Sequence, residues 1–239
     1  MRLRAARGEF WAALIASLLF ATTACVSNSS ADSGAAQRDK DLESFTALRQ
    51  QRQAELGAMD VEQLAGELAK DSEKGVEPFN SMPFAEMVSR GREAAVALES
   101  QLVAHDRSSF LGLLALRAVD AATYAGLKPA FRVAVLVDDL RESTYFNAWG
   151  LPHLYWEDAG KALIDEGRTA VEPLTALLTD SRPAPMWGEE EVVEYQRYEY
   201  RVKDYAWALL RAISGHAGAI PVDASTRDTM INELIGAQS

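Results

Sequence analysis

Cysteine is almost absent from this chain. The one cysteine among the 239 residues is Cys25, so the chain cannot form a disulfide bond within itself. The folded part must therefore be held together by a packed apolar core. About 200 residues are enough for such a core, because domains of that size bury most of the surface that the unfolded chain exposes.

The start of the chain has no apolar run long enough to span a membrane. Residues 11–24 (WAALIASLLFATTA) carry no charge, but they number fourteen, whereas a membrane-spanning helix needs about 20. They follow Arg2, Arg4 and Arg7 and end in small residues. A basic start, a short apolar run and a small-residue end are typical of a signal peptide, which we predict over residues 1–24.

Cys25 directly follows this run. The sequence Thr22-Thr23-Ala24-Cys25 resembles the lipobox of bacterial lipoproteins, although that family usually carries leucine at the position of Thr22. The resemblance implies acylation of Cys25, which would anchor the protein to the cell envelope without spanning the membrane. Val26 stands where an aspartate would favour inner-membrane retention, so the resemblance favours the periplasmic side of the outer membrane in a Gram-negative source. The alternative is a secreted or periplasmic soluble protein.

Basic residues are outnumbered. The whole chain has 24 basic and 35 acidic residues, and residues 1–24 contain three of the bases and one of the acids. The mature chain would keep 21 bases and 34 acids, a formal charge of −13. Because such a surface repels phosphate groups, we expect no nucleic acid partner.

Alternation with a period of two residues, the mark of a half-buried strand, does not occur between hairpin signals. The nearest strand candidate, FRVAVLVDDL, follows Pro129, which suits the first turn of a helix. We therefore predict an all-α fold over residues 39–239, preceded by a lipidated, flexible tether at residues 25–38. Asp60 is the expected N-cap of an early helix.

Two segments of the chain align with each other. Residues 89–106 and 165–182 match at an offset of 76 residues, with Gly91 opposite Gly167. Each reads as two helices joined at a glycine. Such a hairpin cannot bury its apolar face alone, so hairpins are expected to stack and the ends to be capped.

The stretch LIDEGRTAVEPLTALLTD, residues 163–180, resembles a HEAT repeat. Its Glu172-Pro173-Leu174 stands where such repeats often carry Val-Pro-x-Leu. The resemblance implies a short α-solenoid of HEAT-like helical hairpins with atypical capping helices. Members of that family mostly bind other proteins and occasionally carry catalysis.

Histidine is scarce, with His105, His153 and His216 far apart in the sequence. No hydrolase, kinase or nucleotide-binding motif accompanies them, so we expect no cofactor and no catalytic residue. His153 and Glu157 lie four residues apart and would share a helix face, which is a metal-binding spacing. The simpler interpretation of Glu157 is an acid in the first turn of a helix. An envelope enzyme that uses this pair and the acids of residues 189–194 is the alternative function.

Aromatic residues are few but concentrated. Six of the seven tyrosines, and every tryptophan outside the signal peptide, lie between Tyr145 and Trp207. We predict one helix from Glu189 to Ile213, begun by glutamates that suit a helix N-terminus. Three-and-four spacing defines one buried stripe on this helix, consisting of Tyr195, Tyr198, Val202, Tyr205, Leu209 and Ile213.

A second face of that helix carries Tyr200, Trp207 and Arg211, and the preceding loop adds Arg182 and Trp187. If neighbouring segments cover this face, the aromatic residues are structural. If it is open, exposed aromatic and arginine side chains are typical of protein-binding hot spots. We predict a protein or peptide partner at these five residues and no chemistry of the protein's own.

Overall fold

The computed structural model describes residues 31–102, 106–216 and 218–238. They are mostly helical, which confirms the predicted all-α class. The predicted signal peptide, Cys25 and His105 lie outside the described residues. By its contacts the chain divides into two compact units, residues 1–52 and 53–239. Within the described ranges, no helix combines the length and apolar character that crossing a membrane requires.

The described part of the first unit is helical. Helix α1 runs from Ala31 to Ala58 and thus continues into the second unit. It begins inside the segment predicted as a flexible tether, where several alanines favour a helix. Its apolar residues Leu42, Phe45 and Leu48 are exposed.

The second unit contains short helices and one two-stranded sheet. The helices before the sheet are α2 (Val61–Glu73), α3 (Met82–Arg90), α4 (Ala95–Gln101), α5 (Phe110–Val119), α6 (Ala121–Gly126) and α7 (Pro129–Glu142). Strands β1 (Gly150–Leu151) and β2 (Tyr155–Trp156) follow. The later helices are α8 (Asp158–Asp165), α9 (Val171–Ala176), α10 (Glu189–Tyr198), α11 (Val202–Ile213) and α12 (Ala224–Gln238).

The core of the first half forms around α5. Helix α2 begins at Asp60 as predicted, with a capping box in which Asp60 and Gln63 bond each other's backbone N–H groups. Helices α2, α3 and α4 all contact α5, in which Phe110 through Leu116 are buried. A helix that is apolar on every side has to be surrounded by others, which explains this central position.

The two aligned segments have the same local structure. Gly91 follows α3 and Gly167 follows α8, and each glycine begins a short 3-10 turn that leads into the next helix. Their φ angles are 62° and 57°, in the left-handed region that disfavours side chains. The predicted role of both glycines, closing one helix and starting the next, is confirmed.

Two sequence-based predictions of helices need correction, while a third is confirmed. Residues 129–142 are helical as predicted, with Pro129 in the first turn. Residues 150–156 instead form a β-hairpin, in which Gly150 pairs with Trp156 and Leu151 with Tyr155. At Gly150 φ is 85°, and a Cβ would lie 2.6 Å from the carbonyl oxygen of Tyr155. The glycine therefore permits the two strands to approach.

The predicted helix from Glu189 to Ile213 is interrupted. Glu199 adopts a left-handed conformation with φ of 47° and ends α10. The break leaves Arg201 in extended backbone, where it forms a β-bridge with Pro183. Lys203 pairs with Asp228 at 2.8 Å, and Glu194 lies 4.0 Å from Arg197.

Candidate functional site

The proline-rich segment 180–188 is extended and lies between two other segments. On one side, the Ala184 N–H donates to the Tyr200 carbonyl over 2.8 Å. On the other side, the Phe146 N–H donates to the Pro185 carbonyl over 2.9 Å. We call residues 141–147, 180–188 and 199–203 together the aromatic layer. Its backbone hydrogen bonds join parts of the chain that are far apart in sequence, so no local sequence pattern predicts them.

Trp187 is held firmly within this layer. The side-chain amide of Asn147 brackets it, accepting from the Trp187 N–H over 3.1 Å and donating to the Trp187 carbonyl over 2.7 Å. The Trp187 ring lies 4.9 Å from the ring of Phe79, between ring centroids. Phe79 and Tyr145 are exposed, and Trp187 is half-buried. The backbone of Trp187 is thus fixed by Asn147, while its indole packs against Phe79 and keeps part of its surface open to solvent.

Arg182 is placed with similar precision. Its guanidinium donates from Nε and Nη2 to the Asp180 carboxylate, and Nη2 also donates to the Arg141 carbonyl over 2.7 Å. These hydrogen bonds hold the pKa of Asp180 below its ordinary value. The Arg182 side chain is still 52% exposed. Phe79, Tyr145 and Arg182 are exposed and Trp187 is half-buried; we call these four residues the ridge.

Tyr200 and Trp207 do not belong to this open surface. Tyr200 is 0% exposed and Trp207 is 3% exposed, so the second face of the predicted helix is covered. Both side chains therefore have structural positions, which is the first of the two interpretations that the sequence left open. Arg211 lies over the Trp207 ring, with its guanidinium carbon 4.7 Å from the centroid. Of the five residues predicted to meet a partner, Arg182 and Trp187 remain on the aromatic layer and accessible.

His153 lies in the turn of the β-hairpin, which corrects the prediction that it shares a helix face with Glu157. Its Nδ1 is 2.9 Å from the Tyr200 hydroxyl, and its Nε2 is 3.0 Å from Glu194 Oε2. The ring also stacks on Tyr198 at 4.1 Å between centroids. These contacts fit one arrangement, in which the Tyr200 hydroxyl donates to Nδ1 and the protonated Nε2 faces the carboxylate.

Burial determines the electrostatics of this group. It lowers the pKa of His153, while Glu194 acts in the opposite direction. Burial also raises the pKa of Tyr200, so that its hydroxyl keeps its proton. Because Tyr200 is wholly enclosed, no substrate could reach this tyrosine in the folded protein. Glu157, in contrast, stands at the N-cap position of α8 and is exposed.

Two hollows of the described chain are small. One between α2, α4 and α5 measures about 10 Å³, and another, bordered by Trp156, Arg211 and Ile220, measures about 40 Å³. Pockets that bind small molecules typically enclose about 300 to 1,000 Å³. Over the described ranges, no three or more histidine, cysteine, aspartate or glutamate side chains are arranged to hold a metal ion. His216 is exposed.

Sequence reasoning missed a group of buried charges. Glu77, Arg107 and Asp139 come together from three parts of the chain, and both acids have raised pKa values because they are buried. Their spacing in the sequence carries no recognisable pattern. The ridge residues Phe79 and Tyr145 were also missed, since neither belongs to an amphipathic pattern.

Comparison of the chain with protein families, with curated proteins and with solved structures found no significant match.

Proposed function

We propose that this protein is a lipid-anchored component of a bacterial cell envelope that binds a protein or peptide through the ridge. The observation that carries the proposal is the ridge itself, where Arg182 is exposed and yet fixed by hydrogen bonds and the half-buried Trp187 has its backbone fixed by Asn147. Tryptophan, tyrosine and arginine supply most of the energy at protein interfaces. The proposed partner is a protein or peptide of unspecified identity.

The order of the ridge favours binding over a merely solvated surface. Binding costs about 0.5–1.5 kcal/mol for each flexible side chain that becomes fixed. Asp180 already restricts the Arg182 side chain in the free protein, and Asn147 restricts the backbone at Trp187. Binding would therefore remove less conformational entropy than it would from a flexible surface.

A HEAT-like arrangement is the architecture that we propose for residues 39–239. The two glycine turns at Gly91 and Gly167, with matching φ angles and 3-10 turns, support it. Helices α2 and α12 would then act as the atypical caps. The solenoid class commonly presents an extended surface to other proteins, in agreement with a ridge of this kind.

The anchor is proposed on the resemblance of residues 22–25 to a lipobox. Cys25→Ser should move the full-length protein from the membrane fraction to the soluble fraction of the cell. Retention of the variant in the membrane fraction would contradict lipidation at Cys25.

The ridge is tested by photo-crosslinking in intact cells. A photoreactive amino acid at the position of Tyr145 should capture a partner, while the same residue at the position of Val96 should not. Val96 is a suitable control because it is even more exposed, at 76%, but lies on α4 and is not part of the ridge. The double variant Arg182→Ala, Trp187→Ala should lose the Tyr145 product. Equal products from both positions would reject the ridge as the binding surface.

The alternative, an envelope enzyme based on His153, Glu157 and the acids of residues 189–194, has one supporting observation. His153 does contact an acid of that run, Glu194, at 3.0 Å. Metal analysis of the purified protein distinguishes the two functions. Stoichiometric zinc or iron that is lost in His153→Ala would favour the enzyme over the binding protein.

A further inference from the structure

Two carboxyl groups are buried in the second unit, and a half-buried arginine accompanies them. Glu77 follows α2, Arg107 opens the 3-10 turn before α5, and Asp139 lies on α7. Arg107 Nε is 3.4 Å from Asp139 Oδ1. Glu77 is only 7% exposed and Asp139 only 2%. One cation therefore faces two carboxyl groups in a place with little water.

The two carboxyl groups hold neighbouring residues of one segment. Glu77 Oε2 accepts a hydrogen bond from the Ala148 N–H over 2.9 Å. Asp139 Oδ2 accepts from the indole N–H of Trp149 over 3.2 Å and from the Ser143 hydroxyl over 2.8 Å. The position of residues 146–150, which lead into the β-hairpin, thus depends on this acidic pair.

Arg107 is poorly placed to neutralise both acids. Its Nε is buried without a hydrogen-bond partner, and its Nη1 donates to the Glu142 carbonyl over 2.9 Å. The guanidinium also lies against the backbone of Gly75, where a Cβ would overlap it. Since one positive charge is shared between two acids, the group carries a surplus negative charge unless one carboxyl retains a proton.

We propose that Glu77 retains a proton at neutral pH beside the carboxylate of Asp139, and that losing it as the pH rises releases residues 146–150, so that the group acts as a pH-sensitive clamp. The clamp does not depend on the function proposed above. Besides Arg107, the titratable groups that act on the pair are Asp138 on α7 and Tyr205 on α11.

The shifts of the two acids agree with this assignment. Burial, and next the charge of Asp139, raise the pKa of Glu77 to about 8, which makes Glu77 the holder of the proton. Burial also raises the pKa of Asp139, although hydrogen bonds from Ser143 and Trp149 and the charge of Arg107 oppose it. Asp138 adds a small repulsion, and burial keeps Tyr205 protonated.

The direction of the pH effect follows from linkage. The clamped form binds the Glu77 proton more tightly than an opened form, in which the pKa returns to the ordinary value of 4.5. The clamp is therefore at full strength below about pH 4.5, weakens as the pH rises from there to about 8, and levels off above. A carboxylate stabilised by an ion pair would show the opposite trend.

Hydrogen exchange of the full-length protein tests the clamp. Exchange of a peptide covering residues 143–151 is measured by mass spectrometry between pH 5 and 9, for the wild type and for Glu77→Gln. Glutamine retains an acceptor for the Ala148 N–H and cannot ionise. Dividing the wild-type rate by the Glu77→Gln rate at each pH cancels the general effect of hydroxide on exchange. We expect this ratio to rise by up to about tenfold per pH unit until about pH 8 and then to level off.

The control is Glu142→Gln, which removes a half-exposed carboxyl from the end of α7, the helix that carries Asp139. It should follow the wild type at every pH. A ratio that stays constant from pH 5 to 9 would overturn the proposal, and so would loss of the pH-dependent rise in Glu142→Gln.

A second variant covers the case in which Glu77→Gln does not fold. Asp139→Asn keeps an acceptor for Trp149 and Ser143 but removes the neighbouring negative charge. Glu77 should then lose its proton at lower pH, so the rise in exchange of residues 143–151 should level off at a lower pH than in the wild type. An unchanged levelling-off pH would rule out the influence of Asp139 on the Glu77 proton.

Discussion

The two glycine hairpins and the aromatic layer lie in the same unit but are stabilised differently. In the hairpins, residues 82–101 and 158–176, the fully buried side chains are apolar, among them Met87, Leu98, Leu163 and Leu174. The aromatic layer depends on hydrogen bonds between distant segments, and its Arg201 pairs with the buried Asp204, which also binds the buried Arg227. The difference shows that one unit can combine a repeated, local pattern of apolar packing with a region held by specific hydrogen bonds between distant segments.

The largest expected effect is the loss of Arg227. This side chain is fully buried, lies 3.0 Å from Asp204, and donates to the carbonyls of Pro221, Val222 and Tyr198. Arg227→Ala leaves Asp204 less compensated, so the free energy of unfolding should fall by about 3–5 kcal/mol, as is typical for breaking a buried pair. Urea denaturation measures this. Arg168→Ala, an exposed arginine in the second hairpin, should change it by no more than about 0.5 kcal/mol.

The next effect tests the equivalence of the two hairpins. Gly167→Val and Gly91→Val each place a β-branched side chain at positive φ, so each should lower the free energy of unfolding by about 1–2 kcal/mol. Similar losses are expected because the two φ angles differ by only a few degrees. As a control, Gly66→Ala in the middle of α2 should stabilise the protein by about 0.5–1 kcal/mol. An unchanged melting temperature in Gly167→Val would contradict the hairpin geometry.

A smaller effect concerns His153. Burial lowers its pKa, so the unfolded chain binds this proton more tightly than the folded protein. Its contribution to stability is present above the ordinary pKa of 6.5 and is lost as the pH falls through and below that value. His153→Gln should remove this loss between pH 7 and pH 5, measured by urea denaturation at both. His216→Gln, at an exposed histidine, should behave as the wild type does.

The smallest expected change in stability is that of Arg182→Ala. The pair with Asp180 is half-exposed, and such pairs contribute at most about 1 kcal/mol. The free energy of unfolding should therefore change by less than that, while recovery of a crosslinked partner should fall strongly. A large loss of stability would mean that Arg182 holds the aromatic layer together and that its role in the ridge needs revision.

Much of the helical part could be predicted from the sequence. The cap at Asp60, the proline at the start of α7 and the glycine turns are local features, because each depends on residues within about one helical turn. The buried stripe was also largely right, since Tyr198, Val202, Tyr205 and Leu209 are buried although the helix is interrupted. The predicted stripe remains buried because its residues on α10 and on α11 each face the core.

The β-hairpin and the break at Glu199 could not be predicted in this way. Local propensity favours a helix through Glu199, but the Tyr200 carbonyl accepts from the Ala184 N–H, a residue in a different segment. His153 likewise finds Tyr200 and Glu194 more than forty positions away. Tertiary contacts of this kind override helix propensity, which amounts to less than about 1 kcal/mol per residue for ordinary side chains.

By itself, the sequence determined the all-α class, the ends of several helices and the two glycine turns, because these follow from backbone preferences and from the spacing of apolar residues. Only the tertiary structure decided which aromatic side chains are covered. Tyr200 and Trp207 are buried while Trp187 and Arg182 stay accessible, and their residue types do not distinguish these outcomes. The physical reason is that burial depends on which segments pack over a side chain, and those segments come from distant parts of the sequence.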